Sequence, residues 1–209
     1  NYTNLVMTGS GTKTLAGNVT IIGNLTVDET VILTLGGSRI TISANAARSM
    51  TINGTVNING DGRLTESGSN TKTLILGSTG ILNITDNGGA GLPALNAFSL
   101  DPASTVNFGS TDNQTIENSA TYGNLTTSGS GTKTLETSGG TMNFAGTITI
   151  GNGTTLASNN KTMNVGGDFI NNGSFTRGTS TVILNGSVDQ ELGGTTSTVF
   201  TSLTINNSS

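Results

Sequence analysis

A triplet of apolar residue, Thr or Asn, apolar residue recurs along nearly the whole chain and limits the fold more tightly than any other feature. It reads Val19-Thr20-Ile21, Leu25-Thr26-Val27, Leu33-Thr34-Leu35, Ile40-Thr41-Ile42, Met50-Thr51-Ile52, Val56-Asn57-Ile58, Leu82-Asn83-Ile84, Val106-Asn107-Phe108, Met142-Asn143-Phe144, Ile148-Thr149-Ile150, Met163-Asn164-Val165 and Leu203-Thr204-Ile205. An alternation of period two sends both apolar side chains to one side and the Thr or Asn to the other, which describes a short strand with one buried face. No stretch carries helical spacing of comparable strength. Ala44 to Arg48 and Ala90 to Leu100 are the only segments with room for a turn of helix.

The triplets come in pairs separated by glycine. VTIIGNLTV from Val19, MTINGTVNI from Met50 and MNFAGTITI from Met142 share one nine-residue template with Gly23, Gly54 and Gly146 at its fifth position. A glycine fixed between two short strands marks a corner that needs positive φ or leaves no room for a Cβ atom. Two continuations are open. Asn-Gly pairs at Asn53, Asn59, Asn87, Asn152, Asn172 and Asn185 would suit two-residue hairpins and an antiparallel sandwich. The recurrence of the template every 20 to 30 residues instead suits the coils of a solenoid.

Longer copies support the solenoid. YTNLVMTGSGTKTL at Tyr2 returns as YGNLTTSGSGTKTL at Tyr122, and a third copy begins at Phe200 as FTSLTINNSS. STVNFGSTDNQTI at Ser104 parallels STVILNGSVDQEL at Ser180, placing Gln114 opposite Gln190. Composition agrees: 39 Thr, 26 Asn and 31 Gly make up nearly half of the 209 residues, only 32% are apolar and 4% aromatic, and this cannot fill a thick two-layer core. A narrow tube of Val, Ile, Leu, Met and Phe can be filled. The expectation is an all-β parallel β-helix (β-solenoid) spanning 1–209 as one array, with roughly eight to ten coils and a length of about 40 to 50 Å. Residues 90–102 match no repeat and are expected to form a loop on the tube. Stacked Asn and Thr are expected to form hydrogen-bonded ladders along it.

The charge distribution excludes several function classes. Eight basic and twelve acidic side chains, net −4, are scattered singly and offer no basic stripe for nucleic acid. Neither Cys nor His is present, so thiolate and imidazole chemistry are both missing. No apolar run reaches the roughly 18 residues needed to span a membrane as a helix. No cofactor or metal site is expected. Asp189 and Glu191 would share a strand face and form the best cation candidate, but they are only two.

The repeated GSGTKTL, from Gly9 and again from Gly129, resembles the centre of a phosphate-binding loop. That loop needs glycine directly before Lys-Ser/Thr and a helix after it. Here Thr12 and Thr132 precede Lys13 and Lys133, and strand-forming residues follow. Gly9, Gly11, Gly129 and Gly131 are therefore expected at corners. All four lysines share one context, Lys13-Thr14-Leu15, Lys72-Thr73-Leu74, Lys133-Thr134-Leu135 and Lys161-Thr162-Met163, as repeated structural residues do. The strand is expected to begin at Thr14, with the Lys13 ammonium at the bend and in water. Thr-x-Thr pairs at Thr12, Thr71, Thr132 and Thr147 raise a second function class, ice or carbohydrate surface binding, although their spacing along the chain is irregular. A third class, a β-helical polysaccharide-active enzyme, would need clustered carboxylates, and the twelve acids are dispersed.

These motifs resemble the degenerate repeats of very large secreted surface proteins of Bacteroidota and similar bacteria, and more broadly haemagglutinin-like adhesins and autotransporter passengers with β-helical stalks. The resemblance implies a non-enzymatic, extracellular, adhesive or architectural role. Both ends are expected to lack a cap, and the phase at which Phe200 and Leu203 stop is the phase at which Tyr2 and Leu5 begin. The expected partners are therefore adjacent solenoid repeats or further copies of the chain stacked head to tail, with surface carbohydrate as the other candidate.

Overall fold

The computed structural model describes residues 1–85 and 91–208. Every pairing between its strands is parallel, and the chain winds as a β-solenoid of about nine turns. Among the described residues there is no helix, so neither Ala44 to Arg48 nor the described part of 90–100 holds a helical turn. All twelve triplets lie in or at the end of strands. The Asn-Gly pairs among the described residues are corners rather than hairpins, because no antiparallel pair occurs among those residues for them to close.

A complete circuit contributes three short strands, one to each side of the tube. The second face is the most regular. It is a single nine-stranded sheet running from Gly11–Thr14 through Val31–Thr34, Thr55–Ile58, Ile81–Ile84, Thr105–Phe108, Asn124–Thr127, Ile148–Ile150 and Phe169–Asn171 to Leu192–Gly193. Circuit length on this face varies from 19 residues between Thr105 and Asn124 to 26 between Thr55 and Ile81. The corners absorb this variation while the strands stay in register.

Among the described residues the other two faces are interrupted. The first face has a five-stranded run from Leu5–Met7 to Ala97–Leu100 and a four-stranded run from Thr141–Phe144 to Ser202–Ile205, with a lone bridge from Tyr122 to Phe144 where they meet. The third face has three strands from Val19–Ile21 to Arg63–Ser67 and four from Gln114–Ile116 to Ser174–Thr176, with Thr65 bridged to Ala94 between them. Part of the stretch expected as a loop is thus a strand: Ala97–Leu100 pairs in register with Thr73 to Leu76. Position 90 lies outside the described residues.

The interior is a set of apolar columns. On the second face Leu33, Val56, Leu82, Val106, Leu125, Ile148 and Phe169 stack one above another, none more than 1% exposed. Each contributes on the order of 1.5–3 kcal/mol by leaving water. Aromatic rings fill two levels: Tyr122 stacks on Phe144 at 5.8 Å between centroids and meets Phe108 edge-on at 6.3 Å, and Phe169, Phe175 and Phe200 form a second cluster. The Tyr122 hydroxyl donates to the Glu117 carbonyl at 2.8 Å, so this wholly buried phenol keeps a partner.

The repeated motif changes face between its copies. Lys13 pairs with Leu33 on the second face, whereas Lys133 pairs with Gln114 and Leu156 on the third. The 120 residues separating the copies span five and a third circuits, so motif and face drift apart while the local strand order is kept.

Candidate functional site

The corners hold most of the polar chemistry. Each parallel strand leaves backbone N–H groups at its entry that only the neighbouring turn can satisfy. Asparagine supplies the acceptor repeatedly. The Asn4 side-chain carbonyl accepts from the Asn24 N–H at 2.9 Å, and that of Asn24 accepts from Ser49 at 3.0 Å. Asn113, Asn124, Asn160 and Asn172 take the N–H groups of Thr132, Thr147, Thr179 and Thr195 at 2.8 to 2.9 Å. Asp168 does the same for Glu191. The abundance of asparagine thus has a structural cause, and Asn24 and Asn124 show it in the sequence as Asn-Leu-Thr, the asparagine directly before the Leu-Thr of the strand.

The glycines divide into two kinds. Gly9, Gly11, Gly129 and Gly131 have φ between 72° and 79°, the left-handed region in which a Cβ is strained. Gly23, Gly54 and Gly146 have ordinary φ but no space: an added Cβ would lie 1.9 Å from the Thr3 carbonyl oxygen, 2.2 Å from that of Asp28 and 2.4 Å from the Asn124 side chain. These three let one turn lie directly against the next.

The lysines correct the expectation of a solvated ammonium. The strands begin at Gly11 and Gly131, so Lys13 and Lys133 are strand residues and alternation points them inward, in line with the buried leucines. Lys72 and Lys133 are 0% exposed and Lys161 is 3%. Their ammonium groups close corners by donating to backbone carbonyls: Lys72 to Ser69 and Asn70, Lys133 to Ser110 and Asp112 at 2.7 and 2.8 Å, and Lys161 to Thr137, Ser138 and Gly139. Lys13, in the first turn, is half-buried and reaches Ser10. The hydrogen-bond partners are backbone carbonyls, and the Glu66 carboxylate lies 3.6 Å from the Lys72 ammonium as an added ion pair, so the motif is a corner and its lysine is an internal strut. Burial holds the Lys133 pKa at about 8, against a smaller opposing pull from Asp112.

The remaining polar groups follow the same logic. Gln114 accepts from Ser110 N–H at 3.0 Å and donates to the Ile84 carbonyl at 3.1 Å; Gln190 accepts from Gly186 and donates to Val165 and Gly167. The parallel drawn between the two glutamines therefore corresponds to one device used twice. Glu117 accepts the Leu92 N–H and Glu136 the Asn118 N–H. Burial raises the Glu117 pKa, whereas the Asn118 and Ser138 hydrogen bonds lower that of Glu136. Asp189 and Glu191 lie outside any strand, so they do not share a strand face, and no group of three or more acidic side chains that could hold a metal occurs among the described residues. Where the first face is interrupted, a groove of about 420 Å³ is lined by Phe98, Leu100, Asn118, Thr121 and Asn143 among others, none of them acidic.

The terminal residues singled out in the sequence sit as follows. Tyr2 is 54% exposed and Leu203 36%, while Leu5 and Phe200 are half-buried against the core.

The outward side of the second face is an ordered array. One rank runs Thr12, Ile32, Thr55, Ile81, Thr105, Asn124, and the other Thr14, Thr34, Asn57, Asn83, Asn107, Thr126, Thr149, Ile170, each paired to the next by strand register. The expected ladder lies in the second rank: Asn57 donates to Thr34 at 3.3 Å, Asn83 to Asn57 at 2.8 Å and Asn107 to Asn83 at 3.3 Å. Of the Thr-x-Thr pairs, those at Thr12 and Thr147 begin on this face, whereas Thr73 lies on the first face and Thr132 and Thr134 on the third.

The fold and its corners define a β-solenoid. No family model, curated protein or solved structure matches the chain.

Proposed function

We propose that the chain is a non-enzymatic extracellular structural protein: a stretch of rod in a secreted surface adhesin or stalk, or a subunit that stacks head to tail into a fibre. The observation that carries this is the unbroken nine-stranded second face over a fully packed column, held turn to turn by the same asparagine, glutamine and lysine devices. Such a body transmits length and stiffness. At about 4.8 Å per turn it extends about 40 Å, and adding turns lengthens it without changing its cross-section. The buried lysines and Glu117 are engaged with backbone, which is where a scaffold uses charge. In-register parallel edges suit continuation into further solenoid turns or another copy, and the polar faces suit an aqueous exterior.

Electron microscopy with an antibody against the purified chain, applied to intact source cells, tests the reading. Label on thin stalks or fibres outside the cell is expected. Label confined to the cell interior, or turnover of a polysaccharide by the purified chain, would overturn it.

A further inference from the structure

We propose that the second face binds ice. Its outward side chains form two ranks spaced about 4.8 Å from turn to turn and about 6.7 Å between alternate residues of a strand, a two-dimensional grid set by backbone geometry. From Thr12 to Thr126 the grid holds only Thr, Asn and Ile, without a charged or an aromatic side chain. Charged groups hold hydration shells incompatible with a water lattice. Crystalline polysaccharide is gripped chiefly by aromatic rings lying on sugar rings, and this face offers none. What it offers is alternating methyl and hydroxyl or amide groups, which can order a first layer of water in registry with a crystal.

Three structural facts favour this face. Its nine strands are continuous, whereas among the described residues the first face is broken at Tyr122 and the third between Thr65 and Gln114. The third face also carries Arg39 and Arg63 on neighbouring turns, whereas on the second face acidic side chains enter the first rank only beyond Thr147, at Asp168 and Glu191. In addition, the side chains of the second face are already ordered. Threonine and isoleucine are stiff at χ1, and Asn57, Asn83 and Asn107 are tied by their ladder, so little rotamer freedom is left to lose on contact with a rigid lattice.

The experiment is partition of the fluorescently labelled chain into a slowly growing polycrystalline ice hemisphere, together with an ice-recrystallisation assay. The wild-type chain is expected to enter the ice and keep its grains small. The double substitution Thr55→Lys and Thr105→Lys, which leaves the asparagine ladder intact, should abolish both effects, and Thr134→Lys on the third face should abolish neither; circular dichroism confirms that each variant is folded. Exclusion of the wild-type chain from ice would overturn the proposal, as would equal losses in the two variants. Sedimentation with crystalline chitin or cellulose without any effect on ice would replace it with a polysaccharide surface. None of these outcomes bears on the scaffold role, which rests on the cell-surface labelling.

Discussion

At the scale of single residues, burial decides what each group does. The Lys133 ammonium is held at a pKa of about 8, whereas in the unfolded chain it titrates near 10.5. Between those values the unfolded state carries the extra proton, so the contribution of Lys133 to stability is lowest below about pH 8 and rises with pH up to about 10.5. Urea unfolding at several pH values is expected to show this rise, and Lys133→Met to remove it while costing about 1–3 kcal/mol at neutral pH for the carbonyls of Ser110 and Asp112 left without a donor. An unchanged pH slope in the variant would assign the effect elsewhere. Steric limits are equally local. Gly54→Ala would place a methyl 2.2 Å from one backbone carbonyl oxygen and 2.4 Å from another, and backbone cannot step aside. A loss of about 3 kcal/mol is expected, against almost none for Gly17→Ala, where the added atom meets nothing within 4 Å; thermal melts distinguish the two. The sequence marked Gly54 and Lys133 as special through repetition alone. It could not show that the lysines point inward, because a charged residue at an inward position is read as a bend unless the carbonyls facing it are known.

At the scale of the element, the strands were legible and their neighbours were not. Apolar-Thr/Asn-apolar triplets located strands because alternation and burial act within three residues. Which strand lies above which depends on circuit length, and this varies from 19 to 26 residues, so copies of one motif settle on different faces. The conserved order within a copy is what the paired glutamines express. Gln114→Leu would bury the Ser110 N–H and the Ile84 carbonyl without their side-chain partner, and a loss of about 2–4 kcal/mol is expected in denaturant unfolding. Asn83→Leu breaks two rungs of the half-buried outer ladder, where water can reach the freed groups, and should cost about 1 kcal/mol. A larger loss for Asn83 than for Gln114 would mean that the outer ladder, rather than the closed corner, holds the turns together. Of the outward array, the individual Thr-x-Thr pairs could be seen in the sequence. Their gathering with Ile32 and Ile81 into two ranks could not, since partners lie about twenty residues apart.

At the scale of the whole molecule, a solenoid in which each turn touches only its neighbours should tolerate loss of a complete turn and fail on loss of part of one. Leu25 and Met50 are register partners on the first face, so removing Leu25 to Ser49 and joining Asn24 to Met50 excises one circuit from all three faces. Afterwards the strand Val19–Ile21 faces Arg63–Ser67, and Gly11–Thr14 faces Thr55–Ile58, with inward positions still opposite inward positions. The shortened chain is expected to give the same β-rich circular dichroism spectrum and, in small-angle scattering, a rod shorter by about 4.8 Å. Removing half as many residues from the same segment would bring strands of one face against the corners of another and expose apolar columns, so it should aggregate or unfold. If both deletions folded equally well, the turns would not be the units of stability, and a rod extensible turn by turn, on which the scaffold reading depends, would lose its physical basis.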